Sequence, residues 1–182
     1  RDAGTLVIGV GTKPFSFEGA QRARIAEEAW QKLKERVDAL ITVQNDRLLN
    51  VISKDTSLLS AFIICDDVLR QAVQGISDLI VTPGIINVDF ADVRAIMSDA
   101  GSALMGVGYG TGEDRAIVAA KAAVSSPLLD ISIHGARGVL FNVSGGEDLT
   151  MWEINEAAKV ITESIDHDAK VIFGAVHDEK LK

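Results

Sequence analysis

The sequence predicts an α/β protein made of two strand–helix blocks joined by one long helix. Three observations carry that prediction. Short apolar strands alternate with amphipathic helices along the chain, which is the pattern of an α/β sandwich. Helical periodicity is longest in the middle, from about Ser57 to Val81. A "TPG" stop then separates that helix from a second run of alternating elements.

In order, "TLVIGVGT" (Thr5 to Thr12) is a continuous apolar run and is expected to be a strand buried on both faces. "KPFSFEG" follows as a loop, because Pro14 forbids regular pairing. Ala26, Ala29, Trp30, Leu33 and Val37 recur at helical spacing with charges between them. "DALITV" (Asp38 to Val43) is the next buried strand, and Asn45-Asp46 starts the short helix "RLLNVI".

The central helix has Leu59, Phe62, Cys65, Leu69, Ala72, Val73, Ile76 and Ile80 at steps of three or four. About 25 residues at 1.5 Å each would span about 37 Å, the length of a domain-connecting rod. Beyond it, "IINVDF" reads as a strand, "DVRAIMSDA" as a helix and "SALMGVG" as a strand. "EDRAIVAAKAAV" is a helix, "RGVLFNVS" a strand, "MWEINEAAKVITESI" a helix and "AKVIFGAV" a strand. Repeats and low-complexity segments are absent.

The 182 residues are 47% hydrophobic with a formal net charge of −8, enough for one large domain or one and part of another. The negative balance makes nucleic acid and anionic membrane surfaces poor partners. The single cysteine, Cys65, excludes an internal disulfide framework and fits a reducing cytosol. His134, His167 and His177 lack the close pairing of metal motifs. No stretch reads as a signal peptide or an apolar span. The chain opens on Arg1 and closes on "HDEKLK" directly after an apolar strand, so it is expected to be a piece of a longer protein.

Chemistry concentrates in a few places. In "TPGIINVDFADVRAIM", Asn87, Asp89 and Asp92 interrupt an apolar run where a strand is expected to hand over to a helix. Asp89 can cap that helix and Asp92 can sit in its first turn, which is one sufficient reason for both carboxylates. "GVGYGTGEDR" has glycines before a helix, but its spacing fits no phosphate loop. Glu113 and Asp114 would repel a phosphate there, so it reads as a flexible connection.

Thr12, Glu18 and Arg22 follow the first strand, and Asn45 ends the second, on the edge of a sheet where ligands sit. Glu18 suits a sugar hydroxyl and Arg22 a phosphate or ribose oxygen. Phe62 and Asp66 share one helix face, an aromatic for stacking and an acceptor for guanine N1–H and its amino group. Solvated charges and a core Phe62 remain the plainer alternative.

"TKPFSFEG", "NDRLL", "DDVLRQAVQGISDLI", "INVDFADVRAIM", "SPLL" and "INEAA" occur in that order, and through essentially all of its length the chain resembles FtsZ, the tubulin homologue of bacterial cell division. The resemblance implies a tubulin/FtsZ-like α/β fold. Residues 1–56 would be the second half of a Rossmann-like GTP-binding domain, 57–81 the central helix, and 82–182 an incomplete α/β C-terminal domain. It implies a cytoplasmic GTPase that polymerises head to tail and forms the mid-cell division ring. Membrane tethers and division regulators would bind a tail absent here, and no direct membrane insertion is implied.

"NVDFADV" would be the loop completing the neighbouring subunit's active site. Asp89 and Asp92 would polarise and position the attacking water, and Asn87 would help hold the γ-phosphate end. Thr12, Glu18, Arg22, Asn45, Phe62 and Asp66 would line the GTP or GDP pocket, with Mg2+ accompanying GTP in the full-length protein. Gln44 replaces a usual proline, Ala20-Gln21 a commonly basic pair, and Gly11 a usual valine; "TMWEINEA" is a variant run. The family's "GGGTGTG" phosphate signature is absent, so the chain alone is expected neither to bind GTP tightly nor to turn it over. The alternative reading is a non-hydrolysing tubulin-like structural or filament-modulating relative.

Overall fold

The first sheet is built on β2 (Ala39–Gln44), whose apolar side chains Ala39, Leu40, Ile41 and Val43 are buried. β1 (Ile8–Lys13) pairs with it in parallel, Ile8 opposite Ala39 through Lys13 opposite Gln44. The structure is a computed structural model that describes residues 4–49, 52, 53, 55–82, 84–126, 129, 135–178 and 181. His134, Pro83 of the helix stop, Pro127 and Leu128 of "SPLL" and most of the terminal "EKLK" lie outside the described residues. By contact the chain forms two units, Arg1–Gln74 with Met97–Met105, and Gly75–Ile96 with Gly106–Lys182.

In the first unit, the expectation of a fully buried first strand is corrected. β1 is half-buried throughout and lies at the edge of the three-stranded order β1-β2-β3. A single 3-10 turn, Ser16–Glu18, leads into α1 (Ala20–Lys34). Only Ala26 and Trp30 of its expected apolar positions are half-buried, and Val37 lies in the core beyond the helix end. The Trp30 indole lies over Gly11, where a Cβ would come within 2.8 Å of the ring, and its Nε1–H donates to Thr42 Oγ1 at 2.9 Å. The missing valine at position 11 is therefore filled by the tryptophan.

α2 (Asn45–Leu48) follows β2 directly. α3 (Leu58–Val81) runs for 24 residues. Its buried stripe is Ala61, Cys65, Val68 and Ala72, while Leu59, Phe62, Val73 and Ile80 are exposed. The buried stripe is made of small and medium side chains rather than of the larger apolar residues of the helix. "SALMGVG" yields only three residues of strand, β3 (Gly101–Ala103), and these extend the first sheet in parallel beside β2. Asp38 joins the three strand starts: its Oδ2 accepts from Val7 N at 2.9 Å and its carbonyl from Gly101 N at 3.0 Å.

In the second unit, β4 (Gly138–Gly145) and β5 (Lys170–His177) pair in parallel over eight positions. α5 (Arg115–Val124) and α6 (Met151–Thr162) pack through Ala120, Ala157 and Ile161 against Val139, Phe141 and Val143 of β4. Arg115 on α5 grips the start of α6, with Nε on Glu153 Oε1 at 2.6 Å and Nη1 on Asp148 Oδ2 at 2.8 Å. Glu153 also completes a capping box with Thr150.

The segment read as a flexible glycine connection is packed instead. Side chains at Gly106, Gly108 and Gly110 would collide with the carbonyls of Ala123, Ala119 and Arg115. Each step of two along the extended segment meets a step of four along α5, so three glycines let backbone lie on backbone. Among the described residues no helix is long and apolar enough to cross a membrane.

Candidate functional site

In the first unit, two of the residues expected to face a nucleotide, Glu18 and Phe62, meet at Phe15. Its side chain is 1% exposed, the most buried aromatic there. It stacks on Phe17 with centroids 4.9 Å apart and meets Phe62 of α3 edge-on at 5.6 Å. Its backbone N–H donates to Glu18 Oε1 at 2.9 Å. Ser16 donates to Asp46 Oδ1 from its N–H at 2.9 Å and from its hydroxyl at 3.1 Å. The corner after β1 is thus tied to the corner after β2 and stacked on α3. Phe15 and Asp46 do this, and sequence reasoning did not single them out; the only signal was the position of each at the carboxyl end of a parallel strand.

Thr12 is half-buried in β1 opposite Val43, on the edge where Asn45 follows β2. Asn45 is buried, and its Oδ1 has no hydrogen-bond partner among the described residues. A buried carbonyl oxygen without a donor fits a ligand that supplies an N–H. Glu18 pairs with Arg22 across one helical turn at 3.3 Å; the Arg22 side chain is 72% exposed, so the pair contributes little stability. Asp66 is exposed, four residues along α3 from Phe62. Burial raises the Cys65 thiol pKa, and the carboxylates of Asp66 and Glu18 raise it further, which brings those two acids to one locality. A nearby apolar cavity of about 300 Å³ is lined by Phe15, Phe17, Leu49, Ile52, Thr56 and Leu58 among others, and by none of these candidate residues.

In the second unit, "IINVDF" is not a strand. It is a loop with one antiparallel bridge, in which Ile86 N–H donates to the Ala175 carbonyl at 3.2 Å and Ala175 N–H to the Ile86 carbonyl at 3.1 Å. Beyond that bridge Val88 turns inward and is buried, while Asn87 and Asp89 turn out. Gly84 allows the approach, since a Cβ on it would strike the Ala175 carbonyl. Asn87 Oδ1 accepts from Gly84 N at 2.7 Å, closing the turn.

Asp89 does cap α4 (Phe90–Met97). Its Oδ1 accepts from Ala91 N at 3.2 Å, and its carbonyl accepts from Asp92 and Val93 N–H groups. Asp92 sits exposed in the first turn, three residues on and so on the same side, and its carboxylate has no partner among the described residues. Val93, one turn on from Asp89, is fully buried and anchors the helix. Among the described residues no group of three or more His, Cys, Asp or Glu side chains could hold a metal ion.

A parallel sheet whose strand ends carry polar corners, a 24-residue helix, and an acidic loop opening the helix after it define a tubulin/FtsZ-like α/β protein. The FtsZ family's C-terminal domain matches residues 101–182. The whole chain is similar to two solved structures of FtsZ from M. jannaschii, an empty dimer and a point mutant, each at 41% identity, with TM-scores of 0.94 and 0.93. It covers 52% and 54% of those chains, about half of their length. GDP-bound CetZ1 from Haloferax volcanii shares the fold at 21% identity and a TM-score of 0.71, over 96% of this chain and 52% of that one. The chain belongs to the FtsZ family.

Proposed function

We propose that this chain is part of a GTP-binding, GTP-hydrolysing cytoskeletal protein that polymerises head to tail and works in the cytoplasm at the division ring. Residues 1–56 contribute the base and ribose side of the nucleotide pocket, 57–81 the connecting helix, and 82–182 the domain carrying the catalytic loop. The observation that carries this reading is the Asn87–Asp92 loop, pinned through backbone and Val88 while its carboxylates face outward. A carboxylate held rigidly at a surface suits a substrate brought by another subunit. The dimer among the similar solved structures supports self-association, and the GDP named in the CetZ1 structure fits a guanine nucleotide as ligand.

In this mechanism Asp89 and Asp92 orient a water on the γ-phosphorus of GTP held by the adjacent subunit. The water oxygen bonds to phosphorus, the bond to the β–γ bridging oxygen breaks, and GDP and phosphate leave. Asn87 steadies the γ-phosphate. Phe62 stacks on guanine, Asp66 accepts its N–H groups, and the unpartnered Asn45 Oδ1 accepts a further donor. Glu18 and Arg22 meet the ribose and phosphate, and Thr12 lines the pocket wall. Mg2+, when bound with GTP, neutralises phosphate charge.

GTP turnover by the full-length gene product, measured over several decades of protein concentration, tests the reading. Specific activity that appears only above a threshold, and is lost in Asp89→Ala, is the expected result. Turnover proportional to protein at every concentration would mean that one subunit suffices and the loop acids are helix caps.

A further inference from the structure

Asn142 occupies the middle of β4 opposite Gly174 of β5. Its Nδ2 donates to Ser144 Oγ at 3.3 Å, which sets the orientation of the amide. Its Oδ1 is buried and has no hydrogen-bond partner among the described residues. That oxygen lies over Gly174, where a Cβ would meet Asn142 Oδ1 at 3.1 Å, Val88 Cγ2 at 3.1 Å and Leu79 Cδ2 at 3.2 Å. Gly174 is thus a pit into which the strand, the end of α3 and the acidic loop each send one atom.

The acidic loop reaches the same glycine through the Val88 side chain, and the loop carries backbone donors of its own. The backbone N–H groups of Asn87, Val88 and Asp89 donate to nothing among the described residues, although Ile86 before them and Ala91 after them are satisfied. A buried acceptor without a donor is uncommon, and one with several free donors in the same unit has a specific use.

We propose that Asn142 is a positioning residue for the catalytic loop: in the hydrolysing state its Oδ1 accepts a hydrogen bond from the loop backbone at Val88, directly or across one water. The proposal rests on the reading of Asp89 and Asp92 as the groups that orient the attacking water. Val88 lies one residue before Asp89, so this bond sets the height and tilt of the Asp89 carboxylate. The Ile86–Ala175 bridge holds one end of the loop and the α4 cap the other; Asn142 holds the stretch between. Asn142 itself touches neither the attacking water nor the nucleotide.

The test compares Asn142→Leu with the parent protein in the full-length gene product, reading kcat, the KM for GTP, the critical concentration for assembly and Tm. Leucine keeps the shape and removes the acceptor. The expected result is a fall in kcat of about tenfold, the size of a misplaced reacting group, with KM and critical concentration unchanged. A merely structural asparagine predicts the opposite, since replacing an unsatisfied polar atom by carbon raises Tm and leaves turnover intact; that outcome overturns the proposal. Should Asn142→Leu not fold, the pair Asn142→Thr and Asn142→Val decides, because they share a shape and differ in one hydroxyl, which can accept where the methyl cannot. Higher kcat for Asn142→Thr supports the role, and equal kcat removes it. Asp89→Ala is run alongside: if it retains full turnover the catalytic reading itself has failed, whereas an inactive Asp89→Ala with an active Asn142→Leu defeats only the role of Asn142.

Discussion

Ile86 and Ala175 exchange two backbone hydrogen bonds, each N–H donating to the other's carbonyl at 3.2 and 3.1 Å. This single bridge lets an acidic loop be both exposed and rigid. It uses backbone alone, so the Asp92 carboxylate, the second carboxylate oxygen of Asp89 and the amide nitrogen of Asn87 stay available, and Gly84 makes room for the Ala175 carbonyl. Gly84→Ala is expected to push the loop off β5, destabilising the protein by about 1–3 kcal/mol and lowering GTP turnover more than nucleotide affinity. Thermal unfolding and steady-state kinetics on the same preparations check this.

Capping and catalysis by Asp89 can be separated. Asparagine caps a helix as well as aspartate does, whereas alanine costs about 1 kcal/mol at such a position. Asp89→Asn is therefore expected to melt like the parent protein yet lose GTP turnover, and Asp89→Ala to lose both. Full turnover in Asp89→Asn would leave the residue a cap and nothing more.

The clasp between α5 and α6 has a definite pH signature. The Arg115 guanidinium, with help from the Thr150 N–H and hydroxyl, pulls the Glu153 carboxyl down from 4.5 to about 2. Because the folded value is the lower one, the carboxylate stabilises the fold fully above about pH 4.5 and progressively less as pH falls towards 2. Glu153→Gln is expected to lower Tm at pH 6 and to flatten its decline between pH 4.5 and pH 2. Melting curves across that range, for both proteins, give the comparison.

Gly11 and Trp30 form a matched pair, the indole resting where a side chain at position 11 would stand. Gly11→Val alone is expected to destabilise by about 1–3 kcal/mol through overpacking. Combined with Trp30→Ala it should do much less harm than the two separate effects predict, since the valine then has room. A double-mutant cycle by denaturant unfolding measures the coupling.

The glycines at 106, 108 and 110 are expected to tolerate no side chain, because each faces a carbonyl of α5. Gly108→Ala should reduce Tm and expose the Ala120–Ala157 contact to solvent, which amide hydrogen exchange in α5 and α6 would report.

Much of this protein is legible in local pattern. The helix at Leu58–Val81, the strands around Leu40, Leu140 and Ile172, and the capping role of Asp89 all follow from periodicity and end signals within a few residues. The acids at 89 and 92 stood out because charge in an apolar run is expensive to bury. Other features depend on neighbours far away in the chain. "IINVDF" has the composition of a strand, yet only Ile86 finds a partner, and Val88 is drawn into the pit over Gly174. The glycine run reads as loose until the carbonyls of α5 are set against it.

Local physics thus decided where helices and strands begin, and which residues carry charge at their ends. Long-range packing decided which face of α3 is buried, that Gly101–Ala103 completes the sheet of β2, that Phe15 ties three corners together, and that Asn142 and Val88 approach the same glycine, Gly174. Periodicity reports a residue's own backbone, whereas burial and orphaned hydrogen-bonding atoms are properties of contacts between segments that only the folded chain brings together.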